Sequence, residues 1–190
     1  MTVLQHTFSF HLMEKTMREI VDVNTGQVKI GIEKIVLRSL AIGSCVVIAA
    51  YDPKKRLGAM AHVMLPGYSP QKSDPGEKTK YAADAIDYLL LQLTQAGTKI
   101  PNIVTFLVGA GNVLQKKDDT ICKNNIRSIT ELLKEKQISV KAAVLGGTKR
   151  KSVFLDIDNA YISYTEGEGK ETLLWKLPET SVQQYFENLR

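Results

Sequence analysis

The sequence predicts an α+β domain, a layered sandwich of mainly antiparallel β-strands with helices packed on its outside. Short apolar runs typical of strands recur along the chain, and two segments have the three- and four-residue apolar spacing of helices. A chain of 190 residues that is 44% hydrophobic can bury a substantial core within one domain. We therefore expect one fold and one main site.

Runs of strand-forming residues begin after Gln27, and the turn signals Gly43-Ser44 and Asp52-Pro53 separate the early ones. Their close spacing predicts consecutive antiparallel strands. The predicted strand segments are 28–37, 45–52, 57–66, 102–114, 138–147 and 152–165.

Two segments, 79–97 and 124–137, are predicted to be helices. Gly97 is suited to end the first helix, and Asn124 or Asn125 is suited to cap the start of the second. The apolar face of the first helix comprises Tyr81, Ala85, Tyr88, Leu89 and Leu93. The preceding segment, 67–78, holds two prolines and two glycines and is predicted to be a surface loop.

The two ends of the chain lack these clear periodic patterns. The first segment mixes polar and apolar residues up to a turn signal at Asn24-Thr25-Gly26, and the last contains a candidate short helix at 181–190. The sequence therefore divides into an extension, a single domain and a tail, at 1–26, 27–165 and 166–190.

The net charge of +5 and the pI near 9.1 favour an acidic partner. The cations are scattered in short groups such as 54–56 and 149–151, which is typical of a solvated surface, and we expect no nucleic-acid partner. No apolar run approaches the roughly 20 residues of a membrane span, and the N-terminus lacks a signal-peptide layout. We expect a cytoplasmic protein with no direct membrane insertion.

The chain has two cysteines, Cys45 and Cys122, without CxxC spacing or a Cys/His cluster. This excludes a disulfide framework and predicts no metal site, so we expect both thiols to be free. Cys45 follows the Gly43-Ser44 turn and precedes an aliphatic run. It therefore either fills the core or stands at the mouth of a strand, where its sulfur is accessible and nearby backbone N–H groups could hold an oxyanion.

Of the three histidines, His6 and His11 lie in the extension, whereas His62 lies within an apolar strand segment. A buried imidazole needs a partner, either a backbone group or a functional side chain. His62 follows Cys45 by seventeen residues across a turn, so the two could face each other on neighbouring strands. Ser39, six residues before Cys45, offers a hydroxyl to orient the ring, although a lone serine is more often a turn or surface residue.

The block "SLAIGSCVVIAAYDPKKRLGAMAHVMLPG" resembles the signature of the CheD family, the bacterial chemoreceptor glutamine deamidases, in both motif content and spacing. The segments "KYAADAIDYLL", "VGAGNV" and Gly146-Gly147 are similar to further family motifs. The resemblance spans roughly residues 27–160 and implies the fold of CheD and cytotoxic-necrotizing-factor type cysteine hydrolases.

The resemblance implies that Cys45 is the nucleophile, His62 the general base and acid, and Ser39 the hydroxyl that orients the ring. The family usually has threonine at that last position. Backbone N–H groups at Gly43 and Ser44 would hold the oxyanion. Asn112, in "VGAGNV", is a candidate lining residue, or simply part of a structural turn.

The resemblance also implies the substrates, which are glutamines and sometimes methyl-esterified glutamates on chemoreceptor cytoplasmic domains. It implies the CheC phosphatase as a further partner and requires no cofactor. An adaptor that docks on receptors or CheC with little turnover is the alternative, and a cysteine hydrolase of other amides is a third. The chain departs from the family at "ICKNN", with Cys122 and Asn124 in place of glycine and arginine, and around 144–151.

Overall fold

The structure is a computed structural model that describes residues 18–178. Within this range the chain forms ten strands, two α-helices and two short 3-10 turns at Pro75–Lys80 and Ile100–Asn102. The elements in chain order are β1 Glu19–Asp22, β2 Val28–Ile32, β3 Ile35–Ile42, β4 Val46–Asp52, β5 Leu57–Val63, α1 Ala82–Gln95, β6 Val104–Gly109, α2 Thr120–Glu135, β7 Val140–Leu145, β8 Lys151–Asp156, β9 Tyr161–Glu166 and β10 Thr172–Lys176.

The strands form two five-stranded sheets. The outer sheet has the order β1-β3-β8-β9-β10, and the central sheet has the order β2-β5-β4-β6-β7. Only the pairs β1–β3 and β6–β7 are parallel among those that the structure describes. The two helices pack on the face of the central sheet that points away from the outer sheet. The predicted α+β layered sandwich, mainly antiparallel with helices outside, is confirmed.

Strand β4 explains how the layers are built. Val46, Ile48 and Ala50 pack in the core shared with the helices, whereas Val47 and Ala49 pack in the core between the sheets. Side chains alternate along a strand, so a strand in the middle of a covered sheet must be apolar on both faces. All seven residues of β4 are buried for this reason.

The predicted hairpin of 45–52 with 57–66 is confirmed, because β4 and β5 pair antiparallel from Val46 with Val63 to Asp52 with Leu57. The single strand predicted at 28–37 is wrong. The strand is interrupted by a bend at Lys34, whose φ of 58° lies in the left-handed region. β2 therefore joins the central sheet, while β3 joins the outer one.

Both predicted helices are present, but each begins at a different residue from the one predicted. α1 begins at Ala82 rather than at 79, because Pro75–Lys80 is a 3-10 turn and Tyr81 is extended. α2 begins at Thr120, and its N-cap is Asp119, which accepts a hydrogen bond from the Cys122 N–H at 3.4 Å. The predicted cap at Asn124 or Asn125 is therefore wrong.

Strand pairing extends the folded part of the chain beyond 27–165. β1 pairs with β3, and Val23 behind it is 1% exposed. At the other end β10 pairs with β9, and Trp175 lies with its ring centroid 5.2 Å from that of Phe106. The helix expected at 181–190, together with His6 and His11, lies outside the described residues. No helix between residues 18 and 178 is both long and apolar enough to cross a membrane.

Candidate active site

A cavity of about 590 Å³ lies where the β3–β4 loop, the β6–α2 loop and the start of α2 meet. Among the residues that line it are Cys45, Gly43, Ser44 and Asn112, four of the six predicted site residues. Ser39 and His62 lie behind it, buried between the two sheets. In the part of the chain described, no cluster of His, Cys, Asp or Glu could hold a metal ion.

Cys45 lies half-buried just before β4, where the central sheet begins. Its carbonyl accepts a hydrogen bond from Ala110 N–H at 2.6 Å. Gly109 makes this approach feasible, because it has a φ of 136° and a Cβ there would lie 2.3 Å from the Cys45 carbonyl oxygen. The glycine-rich turn after β6 thus fixes the backbone of the predicted nucleophile.

The Gly43-Ser44 turn presents free backbone donors at the cavity. The Gly43 carbonyl accepts from Gly111 N–H at 2.7 Å, but the N–H groups of Gly43 and Ser44 have no acceptor among residues 18–178. Donors of this kind are what an oxyanion requires. Asn112 uses its side chain differently, since its amide exchanges two hydrogen bonds with the Lys116 backbone at 2.9 and 3.0 Å. Asn112 therefore lines the cavity, and its side chain holds together the loop from residue 112 to residue 116.

His62 is held by Ser39 across the sandwich. The His62 Nδ1 atom lies 2.8 Å from Ser39 Oγ, and Ser39 donates its hydrogen to the Val23 carbonyl, also at 2.8 Å. A hydroxyl has one hydrogen, so Ser39 must accept from Nδ1–H, which leaves the lone pair on Nε2. Ser39 lies on β3 of the outer sheet, whereas His62 lies on β5 of the central sheet.

Cys45 and His62 are not directly opposed. The register pairs His62 with Val47, so Cys45 is a diagonal neighbour, and within residues 18–178 the two side chains share no hydrogen bond. The Thr25 hydroxyl contacts both, because its Oγ1 lies 3.4 Å from His62 Nε2 and it hydrogen-bonds the Cys45 thiol. The cysteine and the histidine are thus connected through a third side chain.

Burial favours the neutral form of both the His62 imidazole and the Cys45 thiol. It lowers the pKa of His62, an effect that the hydrogen bond to the Val23 carbonyl opposes. It raises the pKa of Cys45, against the opposing hydrogen bonds from its own backbone N–H and from Thr25. A thiolate at Cys45 must therefore be formed by proton transfer to a base rather than exist as a preformed ion pair.

Cys122 also lines the cavity, in the first turn of α2. It is 3% exposed, and burial together with the Asp119 carboxylate raises its pKa to about 12. This thiol is therefore unsuited to act as a nucleophile.

Thr25 and the role of Asn125 were not predicted from the sequence. The Asn125 amide donates to the carbonyls of Ser44 and Met64, both at 3.0 Å, and so ties the loop before Cys45 to the end of β5. Asn125 falls three residues after Cys122 and four before Ile129, on the buried face of α2. A polar residue on an apolar helical face was an available signal, whereas the turn signal around Thr25 indicated nothing beyond a turn.

Comparison with known proteins supplies the family. A family model described as CheD chemotactic sensory transduction matches residues 64–165. The chain is 35% identical over 151 residues to a protein of Chlorobium luteolum named probable chemoreceptor glutamine deamidase CheD, covering 80% of this chain and 75% of that one. It is 31% identical over 138 residues to the chemoreceptor glutamine deamidase CheD of Thermotoga maritima, covering 73% and 86%.

A probable chemoreceptor glutamine deamidase CheD of Archaeoglobus fulgidus is 30% identical over 145 residues, covering 74% of this chain and 88% of the relative. The family model spans more than half of the sequence, and three relatives share at least 30% of the aligned residues over most of their length. This chain belongs to the CheD family.

Proposed function

We propose that this chain is an enzyme that deamidates glutamine side chains of chemoreceptors to glutamate, with Cys45 as its nucleophile. The relatives named above carry that activity in their names. For this chain, the proposal is carried by the 2.8 Å hydrogen bond between Ser39 and His62. It holds the imidazole in the tautomer whose free lone pair is on Nε2, the ring atom nearest to Thr25 and hence to the cavity.

The first half-reaction forms a thioester. Cys45 loses its proton to the His62 base, and the thiolate attacks the carboxamide carbon of the bound glutamine. The carbonyl oxygen becomes an oxyanion, which the N–H groups of Gly43 and Ser44, without an acceptor among residues 18–178, are available to hold. The C–N bond then breaks, His62 returns its proton to the leaving nitrogen, and ammonia departs.

The second half-reaction hydrolyses the thioester. Nε2 of His62 is again neutral and takes a proton from water as its oxygen attacks the thioester carbon. Collapse of this second tetrahedral species breaks the C–S bond, releases glutamate and returns the proton to Cys45. The balance is glutamine plus water to glutamate plus ammonium. Ser39 keeps the ring in place through both steps, since the Nδ1–H stays bonded to its oxygen.

We extend the proposal to the setting of the reaction. Receptor glutamines of this kind lie on cytoplasmic domains, so the enzyme would work in the cytoplasm. Its net charge of +5 suits an acidic helical surface. The CheC phosphatase is proposed as a second partner, on the family resemblance, and a pull-down with purified CheC would test that interaction separately.

The test is incubation of the purified protein with a receptor cytoplasmic domain, followed by peptide mass spectrometry. Each deamidation adds about one mass unit, and we expect it at particular glutamines only. Cys45→Ala should reduce conversion below detection, whereas Cys122→Ala, a change in the same cavity, should leave it within about twofold of wild type. A folded wild type that binds the receptor and leaves every glutamine intact would contradict the proposal and favour the adaptor alternative.

A further inference from the structure

We infer that the Thr25 hydroxyl is a catalytic proton carrier between Cys45 and His62, a role outside the three residues expected from the sequence. The inference rests on the proposed use of Cys45 and His62 as nucleophile and base. It deepens that proposal by assigning the path along which the proton travels.

The position of Thr25 is the first support. Thr25 lines the same cavity as Cys45, whereas His62 is 5% exposed and does not. The Thr25 hydroxyl hydrogen-bonds the Cys45 thiol, and its Oγ1 lies 3.4 Å from Nε2 of His62. A hydroxyl can accept one proton and donate another, so this side chain can link a donor and an acceptor that share no hydrogen bond within residues 18–178.

The second support is the way the turn carrying Thr25 is attached to His62. Gly26 N–H donates to the His62 carbonyl at 2.8 Å, and His62 N–H donates to the Gln27 carbonyl at 3.0 Å. Thr79 Oγ1 donates to the Gly26 carbonyl at 2.6 Å. The backbone that follows Thr25 is thus positioned by the peptide groups of His62 and by Thr79. This anchoring fixes the hydroxyl relative to the ring.

The proton balance closes within these side chains. The S–H bond of Cys45 breaks and its proton passes to Thr25 Oγ1, while the original Thr25 hydrogen passes to Nε2 of His62. Nε2 can accept it because Nδ1 keeps its own hydrogen on Ser39. The products are a thiolate and an imidazolium, and the reverse path returns the proton. The 3.4 Å contact shortens for transfer, as catalytic hydrogen bonds do when substrate binds.

The test compares Thr25→Val, which removes the hydroxyl and keeps the shape, with Thr25→Ser, which keeps the hydroxyl. Thr120→Val is the matched control, because Thr120 lines the same cavity. The first measurement is the pH dependence of Cys45 alkylation by iodoacetamide without receptor. Loss of the hydroxyl should move the alkylation midpoint to higher pH and slow labelling at pH 8 about threefold or more. The serine and Thr120 variants should stay within twofold of wild type.

The second measurement is kcat/KM for receptor deamidation. We expect a loss of about 100-fold in Thr25→Val and less than about fivefold in Thr25→Ser, the size that one proton-transfer group contributes. A valine variant that matches wild type in both measurements, or a serine variant that loses as much as the valine one, would overturn the inference. Alkylation needs no receptor. If Thr25→Val slows alkylation as expected while the wild type deamidates no receptor glutamine, the result refutes the proposed function but not the contact between Thr25 and Cys45.

Discussion

The loop before β4 and the first turn of α2 each bring a thiol to the same cavity, but the groups beside the two thiols differ. Cys45 is surrounded by dipoles, namely its own N–H and the Thr25 hydroxyl, which moderate the rise that burial causes in its pKa. Cys122 sits at a helix N-terminus, a position that ordinarily favours a thiolate. Burial, and after it the Asp119 carboxylate that caps this helix, outweigh that effect and raise the pKa of Cys122 to about 12.

The comparison teaches that access to a cavity does not make a cysteine a nucleophile. The groups beside each thiol differ. Thr25 lies between Cys45 and His62 and is the proton route proposed above, whereas Cys122 is buried beside the Asp119 carboxylate.

The largest difference should appear in the alkylation rates of the two thiols. At pH 8 a thiol of pKa about 12 is ionised in about one molecule in 10⁴, and Cys122 is also buried. We expect iodoacetamide to label Cys45 at least about 100-fold faster than Cys122, measured by mass spectrometry of the two peptides. Equal rates would remove the distinction between the two sites.

Gly109→Ala should damage the nucleophile loop from a neighbouring strand. The new Cβ would lie 2.3 Å from the Cys45 carbonyl oxygen, so the loop must shift. We expect kcat/KM to fall about 100-fold, because displacements of about 1 Å have this effect on reacting groups. Gly76→Ala is the control, since a Cβ there meets nothing within 4 Å. Retained activity in Gly109→Ala would show that the loop tolerates displacement.

Asn125→Asp should separate the loop before Cys45 from the end of β5. The carboxylate cannot donate to the carbonyls of Ser44 and Met64, and it would be buried against them. We expect a loss of about 3 kcal/mol in the free energy of unfolding in urea and about a tenfold loss of kcat/KM. Asn124→Asp, one position away and bonded to Arg127, should change the free energy of unfolding by about 0.5 kcal/mol or less.

The pH profile of kcat/KM should be a broad bell whose limbs belong to His62 and Cys45. His62 must be neutral to accept a proton, and burial lowers its pKa, so activity should be lost only as the pH falls below about 6.5. Burial raises the pKa of Cys45 above its usual value, so the alkaline limb should lie above about 9, where the pair has lost its proton. An acid limb above pH 7 would be inconsistent with a buried neutral imidazole.

The smallest expected effect comes from making Cys122 more like Cys45. Asp119→Asn removes the charge that raises the pKa of Cys122 and keeps a side-chain oxygen as the helix cap. Labelling of Cys122 should become about three- to tenfold faster, while that of Cys45 should hardly change. Asp118→Asn, which alters another carboxylate lining the cavity, should leave the Cys122 rate unchanged. If both variants accelerate labelling equally, the labelling rate of Cys122 depends on the total charge around the cavity rather than on the capping carboxylate of Asp119.

The sequence predicted the layered fold and the hairpin that carries His62 next to the loop of Cys45, because the spacing of these two residues around one turn is a local property. It did not show that Ser39 and His62 lie on different sheets. Residues 28–37 look like one strand, and only the left-handed backbone at Lys34 sends β2 and β3 into different sheets. Periodicity does not encode such a change of sheet.

Thr25 escaped prediction for a related reason. Its role depends on long-range contacts between the turn at 24–27 and His62, which lie far apart in sequence. Asn125 is the opposite case, because its place on the buried face of a helix is readable from spacing alone. Sequence patterns therefore predict which face of a helix or strand a side chain lies on. They do not predict contacts between segments that are distant in sequence, and the role proposed for Thr25 depends on such contacts.

The crossing of the chain from the outer to the central sheet between Ser39 and Cys45 bears on biosynthesis. β3 carries Ser39 and is flanked by β1 and by β8, and β8 ends only at Asp156. A nascent chain that has emerged no further than the β4–β5 hairpin already contains Cys45 and His62, but lacks the strand that completes the sheet behind Ser39. The outer sheet that places Ser39 against His62 therefore gains its central strand, β8, only late in synthesis.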